Sequence, residues 1–295
     1  MRENSRYERN NVRSRTNSSL KRKQRKRRKR FRRLKKLVTA VAAGTILLTA
    51  FLWVRGFLSG GMSGTGGSLS GFIEEGGEML KAKSAYQFID EDEENADVLK
   101  DLLDKNPETA DFVKNYAQMK GNPPADTIGD WDAGEIPLLL QWDERWGYCT
   151  YGDGMIAVNG CGPTCVSMVL CGLLGDPSIT PYKVAEFAQQ QGYYAGDAGT
   201  SWTLMSEGVQ SFGVWGEEIG LSKEGVFSAL ESGNPVICSM RPGDFTTTGH
   251  FIVLTKVEDG KLKVNDPNSR IRSGQLWDYE RLEPQIQNLW VFSKI

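Results

Sequence analysis

The chain holds a single histidine, His250, in 295 residues. A zinc centre built from thiolates and imidazoles needs several ligands at short spacing. The five cysteines, Cys149, Cys161, Cys165, Cys171 and Cys238, contain no CxxC pair to supply them, so most zinc readings fall. There is no G-x-x-x-x-G-K-[ST] phosphate loop and no internal repeat, and the sequence points to no cofactor. Five is an odd number, so at least one thiol stays free or pairs between chains. One unpaired thiol and one imidazole are the least that a thiolate nucleophile requires.

Acidic charge is nearly missing from the start of the chain. Residues 1–36 hold 18 of the 36 Lys/Arg but only Glu3 and Glu8 among the 37 Asp/Glu, so a net charge of −1 conceals a basic arm on an acidic body. Directly after the arm, LVTAVAAGTILLTAFLWV (37–54) carries no charge before Arg55. As a helix it would span roughly 27 Å, close to the ~30 Å hydrocarbon layer of a bilayer. Its far end has Phe51, Leu52 and Trp53 where a signal-peptidase site wants small residues, which predicts an uncleaved signal anchor over 37–55. The positive-inside rule then keeps residues 1–36 in the cytoplasm and sends the rest across the cell membrane. On this reading KRKQRKRRKRFRRLKK (21–36) sets topology and attracts anionic lipid; no nucleic-acid partner is expected.

Beyond the anchor, residues 56–84 read as a Gly/Ser-rich linker whose double glycines at 60–61, 66–67 and 76–77 suit a flexible tether, with self-cleavage as a more speculative use. Residues 85–134 read as an acidic stalk or lid of two short helices, the second opened by Asn106 as cap and Pro107 behind it. From 135 to 295 helices come first (161–175, 180–192, 201–213, 222–233) and short strands second (234–240, 250–257, 261–266, 288–293). That order predicts an α+β domain with an antiparallel sheet.

Within it, NGCGPTCVSMVLCGLLG (159–175) places Cys161 at the mouth of a buried helix, where unpaired backbone N–H groups lower a thiol's pKa. Gly160 and Gly162 are expected to let backbone and substrate approach the sulfur. Cys165 and Cys171 fall inside the helix as small core residues, and composition alone leaves Cys161 open to the same reading. His250 begins HFIVLTKVEDGKLKVND. A three-residue loop at Glu258-Asp259-Gly260 would pair Val257 with Lys261 and bring Asp266 diagonal to His250, close enough to orient the ring. One residue more or fewer in that loop would turn Asp266 away.

The blocks PLLLQWDERWG, NGCGPTCVSMVL, GNPVI, GHFIVLTKVEDGKLKVNDP and a closing LW run in unbroken order over residues 136–293. Together they resemble the cysteine peptidase family numbered thirty-nine, the bacteriocin-processing double-glycine type, in its stand-alone branch within the papain-like superfamily. The resemblance implies a papain-like fold, with a helical lobe carrying the nucleophile and a sheet lobe carrying histidine and aspartate. It implies Cys161 as nucleophile, His250 as general base and acid, Asp266 as the group orienting it, and Gln141 as oxyanion donor. The substrate class it implies is a peptide or protein. Leader processing by an exporter-fused domain does not carry over, because this chain has no phosphate loop and its charge bias sends the domain outside. GYCTYGDGMIAVN (147–159) is expected to form a loop over the site. Acyl transfer on the same residues, or a non-catalytic binding module of the same fold, are the rival readings.

Overall fold

The computed structural model describes residues 69–90, 94–132, 134–196 and 199–295. The basic tail, the apolar run expected to anchor the chain, and the linker as far as residue 68 lie outside these residues. Among the described residues no helix is long and apolar enough to cross a membrane.

The linker is shorter than its composition suggests, because a helix, α1, spans Leu69–Ala85 and includes Gly76 and Gly77. Tertiary burial overrides the poor propensity of glycine here: Ala82 and Ala85 are buried in one apolar cluster with the next two helices. These are α2, Ala96–Lys105, and α3, Ala110–Met119. Asn106 caps the turn between them as expected, its side chain accepting the Glu108 N–H, but Pro107 opens a 3₁₀ turn that precedes α3. The same cluster contains Leu140, Trp142, Met155 and Ala157 from farther along the chain. The expected stalk is therefore packed onto the following residues. Tyr148 stacks on Phe112 with ring centroids 4.1 Å apart and donates its hydroxyl to the Phe112 carbonyl.

Helix α4, Cys161–Leu174, is apolar around its circumference and buried almost throughout, as a central helix should be; it stops at Gly175, whose φ of 72° gives the left-handed cap. Helix α5, Pro181–Gln190, has Thr180 as its cap, and α6, Lys223–Glu231, has Ser222. The helix expected over 201–213 breaks into a turn of α-helix at Thr203–Ser206 and a 3₁₀ segment at Gly208–Phe212.

The sheet has strands β1 (Val214–Glu218), β2 (Val236–Met240), β3 (His250–Glu258), β4 (Lys261–Asn265), β5 (Leu276–Trp277) and β6 (Ile286–Lys294). They lie in the order β1-β6-β2-β3-β4-β5, every neighbouring pair antiparallel. Alternate residues serve opposite faces, with Ile237, Phe251 and Val253 packing with α4 and α5 while Val236, Cys238, Ile252 and Leu254 pack with α6. Each such fully buried aliphatic side chain contributes about 1.5–3 kcal/mol of transfer free energy. The observed class is α+β.

Candidate active site

The β3–β4 hairpin turns on two residues, Asp259 and Gly260, with φ of 51° and 74°, so Glu258 pairs with Lys261. This is one residue shorter than the expected loop and would by itself have turned Asp266 to the wrong side. A bulge between Leu254 and Lys256 absorbs the difference, and beyond it Leu254 faces Val264 and Val253 faces Asn265. Asp266, next in line, therefore still arrives beside His250, and its Oδ1 lies 2.8 Å from His250 Nε2.

Asp266 is fully buried and its carboxylate is well supplied with donors. Besides His250 it accepts from the Arg272 guanidinium and from the Asn268 backbone N–H at 2.8 Å. Burial works to raise its pKa, but the charges and hydrogen bonds of His250 and Arg272 outweigh that and hold the carboxyl below its usual value. Burial likewise works against charge on His250. Asp266, followed by a hydrogen bond and charge interaction with Cys161, overrides it and raises the imidazole to about 9. With Nε2 committed to Asp266, Nδ1 is the ring nitrogen left to the thiol. Nothing in the spacing of Arg272 along the sequence ties it to Asp266; only the folded turn brings the two together.

Cys161 is the first residue of α4, half-buried, with Gly160 in the cap position. The two glycines beside it let other parts of the protein approach the start of the helix closely. A Cβ on Gly160 would meet the Ile156 carbonyl at 2.5 Å and one on Gly162 would meet the Thr200 side chain at 2.7 Å, so both are needed for packing inside the protein. All five thiols are free. Burial pushes Cys165 and Cys238 far up and Cys171 to about 12, which keeps all three protonated as core residues.

Cys161, His250 and Gln141 line one cleft of about 560 Å³. Gln141 is buried, and its amide nitrogen donates to the Ala157 carbonyl at 2.8 Å and lies 3.4 Å from that of Val158. Its Oε1 is buried with no hydrogen-bond partner. The amide thus donates to both carbonyls in the resting site, the longer bond to Val158 being the one a ligand could displace. The expected loop at 147–159 is a short ribbon, Thr150–Tyr151 with Gly154–Met155, followed by a helical turn at Ile156–Asn159; its Ala157 and Val158 line the cleft. The opposite walls are α2, through Val98 and Leu102, and the loop 243–249.

A thiol at a helix mouth, facing an imidazole backed by a buried carboxylate, is the layout of a domain that can carry out thiol-dependent acyl chemistry. Residues 133–293 match the model of the Peptidase_C39 like family, and the chain belongs to that family. It is accordingly a cysteine peptidase. Similar solved structures include the peptidase domain of Streptococcus ComA, a bi-functional ABC transporter involved in a quorum sensing pathway. The two share 18% identity over 46% of this chain and 93% of that one, with a TM-score of 0.36. A protein from Bacillus anthracis described as a C39-like peptidase shares 13% identity over 54% and 95%, at 0.37. A double glycine motif protease from an AMS/PCAT transporter, solved with the leader peptide, shares 15% over 55% and 94%, at 0.33. None of the curated proteins matches the chain.

Proposed function

We propose that the protein is a membrane-anchored, extracytoplasmic peptidase that cleaves peptide bonds through Cys161, His250 and Asp266, with residues 135–295 as its catalytic domain. The observation that carries this reading is the convergence of Cys161 and His250 on one cleft, with His250 Nε2 held 2.8 Å from a fully buried Asp266. With its pKa raised to about 9, His250 is an imidazolium at neutral pH and favours a thiolate at Cys161. The sulfur attacks the scissile carbonyl carbon, and the C=O electrons move onto oxygen. As the tetrahedral intermediate collapses, the C–N bond breaks and the imidazolium gives its proton to the leaving amine. Water, deprotonated by the now neutral His250, attacks the thioester and releases the acid and the thiolate.

The oxyanion is met by the Gln141 amide, released from its longer bond to the Val158 carbonyl, and by backbone N–H groups at the start of α4, which have no partner within a helix's first turn. The apolar run at 37–54 and the basic arm before it support a single-span anchor with the N-terminus in the cytoplasm. Peptide pools incubated with the full chain test the chemistry. Cleavage by the wild type, lost in Cys161→Ala at unchanged melting temperature, is the expected result. Equal cleavage by both would contradict it. Protease shaving of intact cells tests the topology: digestion of residues 56–295 is expected, and full protection would contradict the orientation.

A further inference from the structure

Asp266 lies just past the end of β4, where ladder pairing no longer holds the backbone. Its position depends on the turn that follows. Asn268 donates its N–H to the Asp266 carboxylate, Arg272 donates its guanidinium, and the Asp266 N–H itself goes to Ser273 Oγ at 2.8 Å. This turn is gripped from a distant part of the chain. The two oxygens of Glu108 accept from Ser269 Oγ and from the Arg270 N–H at 2.8 Å. Asn106 Nδ2 donates to the Asn268 carbonyl and, at 3.0 Å, to its side-chain oxygen. Trp142 Nε1 reaches the same carbonyl at 3.1 Å, and the Arg270 guanidinium lies over the Trp142 ring at 4.5 Å.

Glu108 is 9% exposed and Ser269 2%, so these contacts are sheltered from water. Burying a carboxylate is costly, and Glu108 directs both of its oxygens at this one turn. The helix before it, α2, also supplies a wall of the cleft. We propose that the Asn106–Glu108 turn of the N-terminal helical segment is a positioning element of the active site, fixing the 266–273 turn and through it the aspartate that orients His250. The proposal rests on the catalytic reading of Cys161, His250 and Asp266. The groups that face His250 are Asp266 and Cys161, with Arg272 acting through Asp266.

The experiment compares the full chain with Glu108→Gln, which can keep only one of the two acceptor oxygens. Because His250 is the only histidine, its NMR titration is read without assignment ambiguity. Glu108→Gln is expected to move the His250 midpoint from about 9 toward the ~6.5 of a free imidazole. It is also expected to lower kcat by ~10- to 100-fold with KM within about twofold, as misplacement of a catalytic group does. An unchanged titration and kcat in the folded variant would overturn the proposal, whatever happens to the melting temperature. Should Glu108→Gln fail to fold, Asn106→Ala reads the Asn268 side of the same grip, with the same two outcomes. A wild type that cleaves no peptide while the titration still moves in the variant would defeat the catalytic reading and leave the positioning role standing.

Discussion

At the scale of single residues, Gln141 separates what its position offers from what its contacts allow. It lines the cleft beside Cys161 and His250, yet its amide already donates to Ala157 and, at 3.4 Å, to Val158, and its Oε1 is left buried without a partner. An unpaired buried acceptor is destabilising by ~1–3 kcal/mol, but it is the amide N–H, and not Oε1, that can serve an oxyanion in the cleft. Gln141→Ala is therefore expected to lower kcat by ~10²- to 10³-fold, the usual loss when one oxyanion donor is removed, without loss of folding. Steady-state kinetics check it; a change confined to KM would show that Gln141 only binds substrate. Nothing in the composition singled out this residue, and Arg272 was equally silent, because side chains that meet only through tertiary folding leave no local spacing. Cys161 and His250 were legible for the opposite reason: one histidine exists, and one cysteine sits at a helix start.

At the scale of elements, the hairpin shows how a right placement can follow from a wrong local geometry. The spacing in the sequence predicts a three-residue loop and a regular ladder. The molecule uses a two-residue loop and a bulge at Thr255, and the two differences cancel at Asp266. Bulges carry no dependable sequence signal, whereas the D-G pair does. Deleting Thr255 removes the extra residue and lets Lys256 follow Leu254 directly, with Leu254 still opposite Val264, so Asp266 should keep its place beside His250. The expected outcome is cleavage retained within about tenfold in a protein whose far-UV circular dichroism is unchanged. Loss of cleavage comparable to Asp266→Ala in the folded deletion variant would contradict the register. Helices α4, α5 and α6 were readable because caps and apolar periodicity agree. Helix α1 was hidden by its glycines, and the edge strand β1, VWGEE, by its charge and brevity.

At the scale of the whole molecule, the described residues from α1 onward fold as one compact unit, so the helices before residue 120 are structural partners of the peptidase domain. The ion pair at the site also couples folding to pH. His250 titrates at about 9 when folded against ~6.5 unfolded. Its contribution to stability is complete below ~6.5 and is lost as pH rises through 9. Asp266 has the opposite sign: its pKa is lowered, so its contribution is present above ~3.9 and is lost in acid. Urea unfolding at a series of pH values should show stability falling between pH ~6.5 and 9, and His250→Ala should flatten that limb. A limb unchanged by the substitution would place the titrating group elsewhere.

The central claim, a Cys161 nucleophile activated by His250, is tested most directly by the rate of Cys161 alkylation at neutral pH in the full chain, read peptide by peptide alongside His250→Ala. Labelling of Cys161 faster than that of Cys149, which is also free and half-buried, and loss of that lead in the variant are the predicted results. Labelling of Cys161 no faster than that of Cys149 and indifferent to His250→Ala would contradict the account.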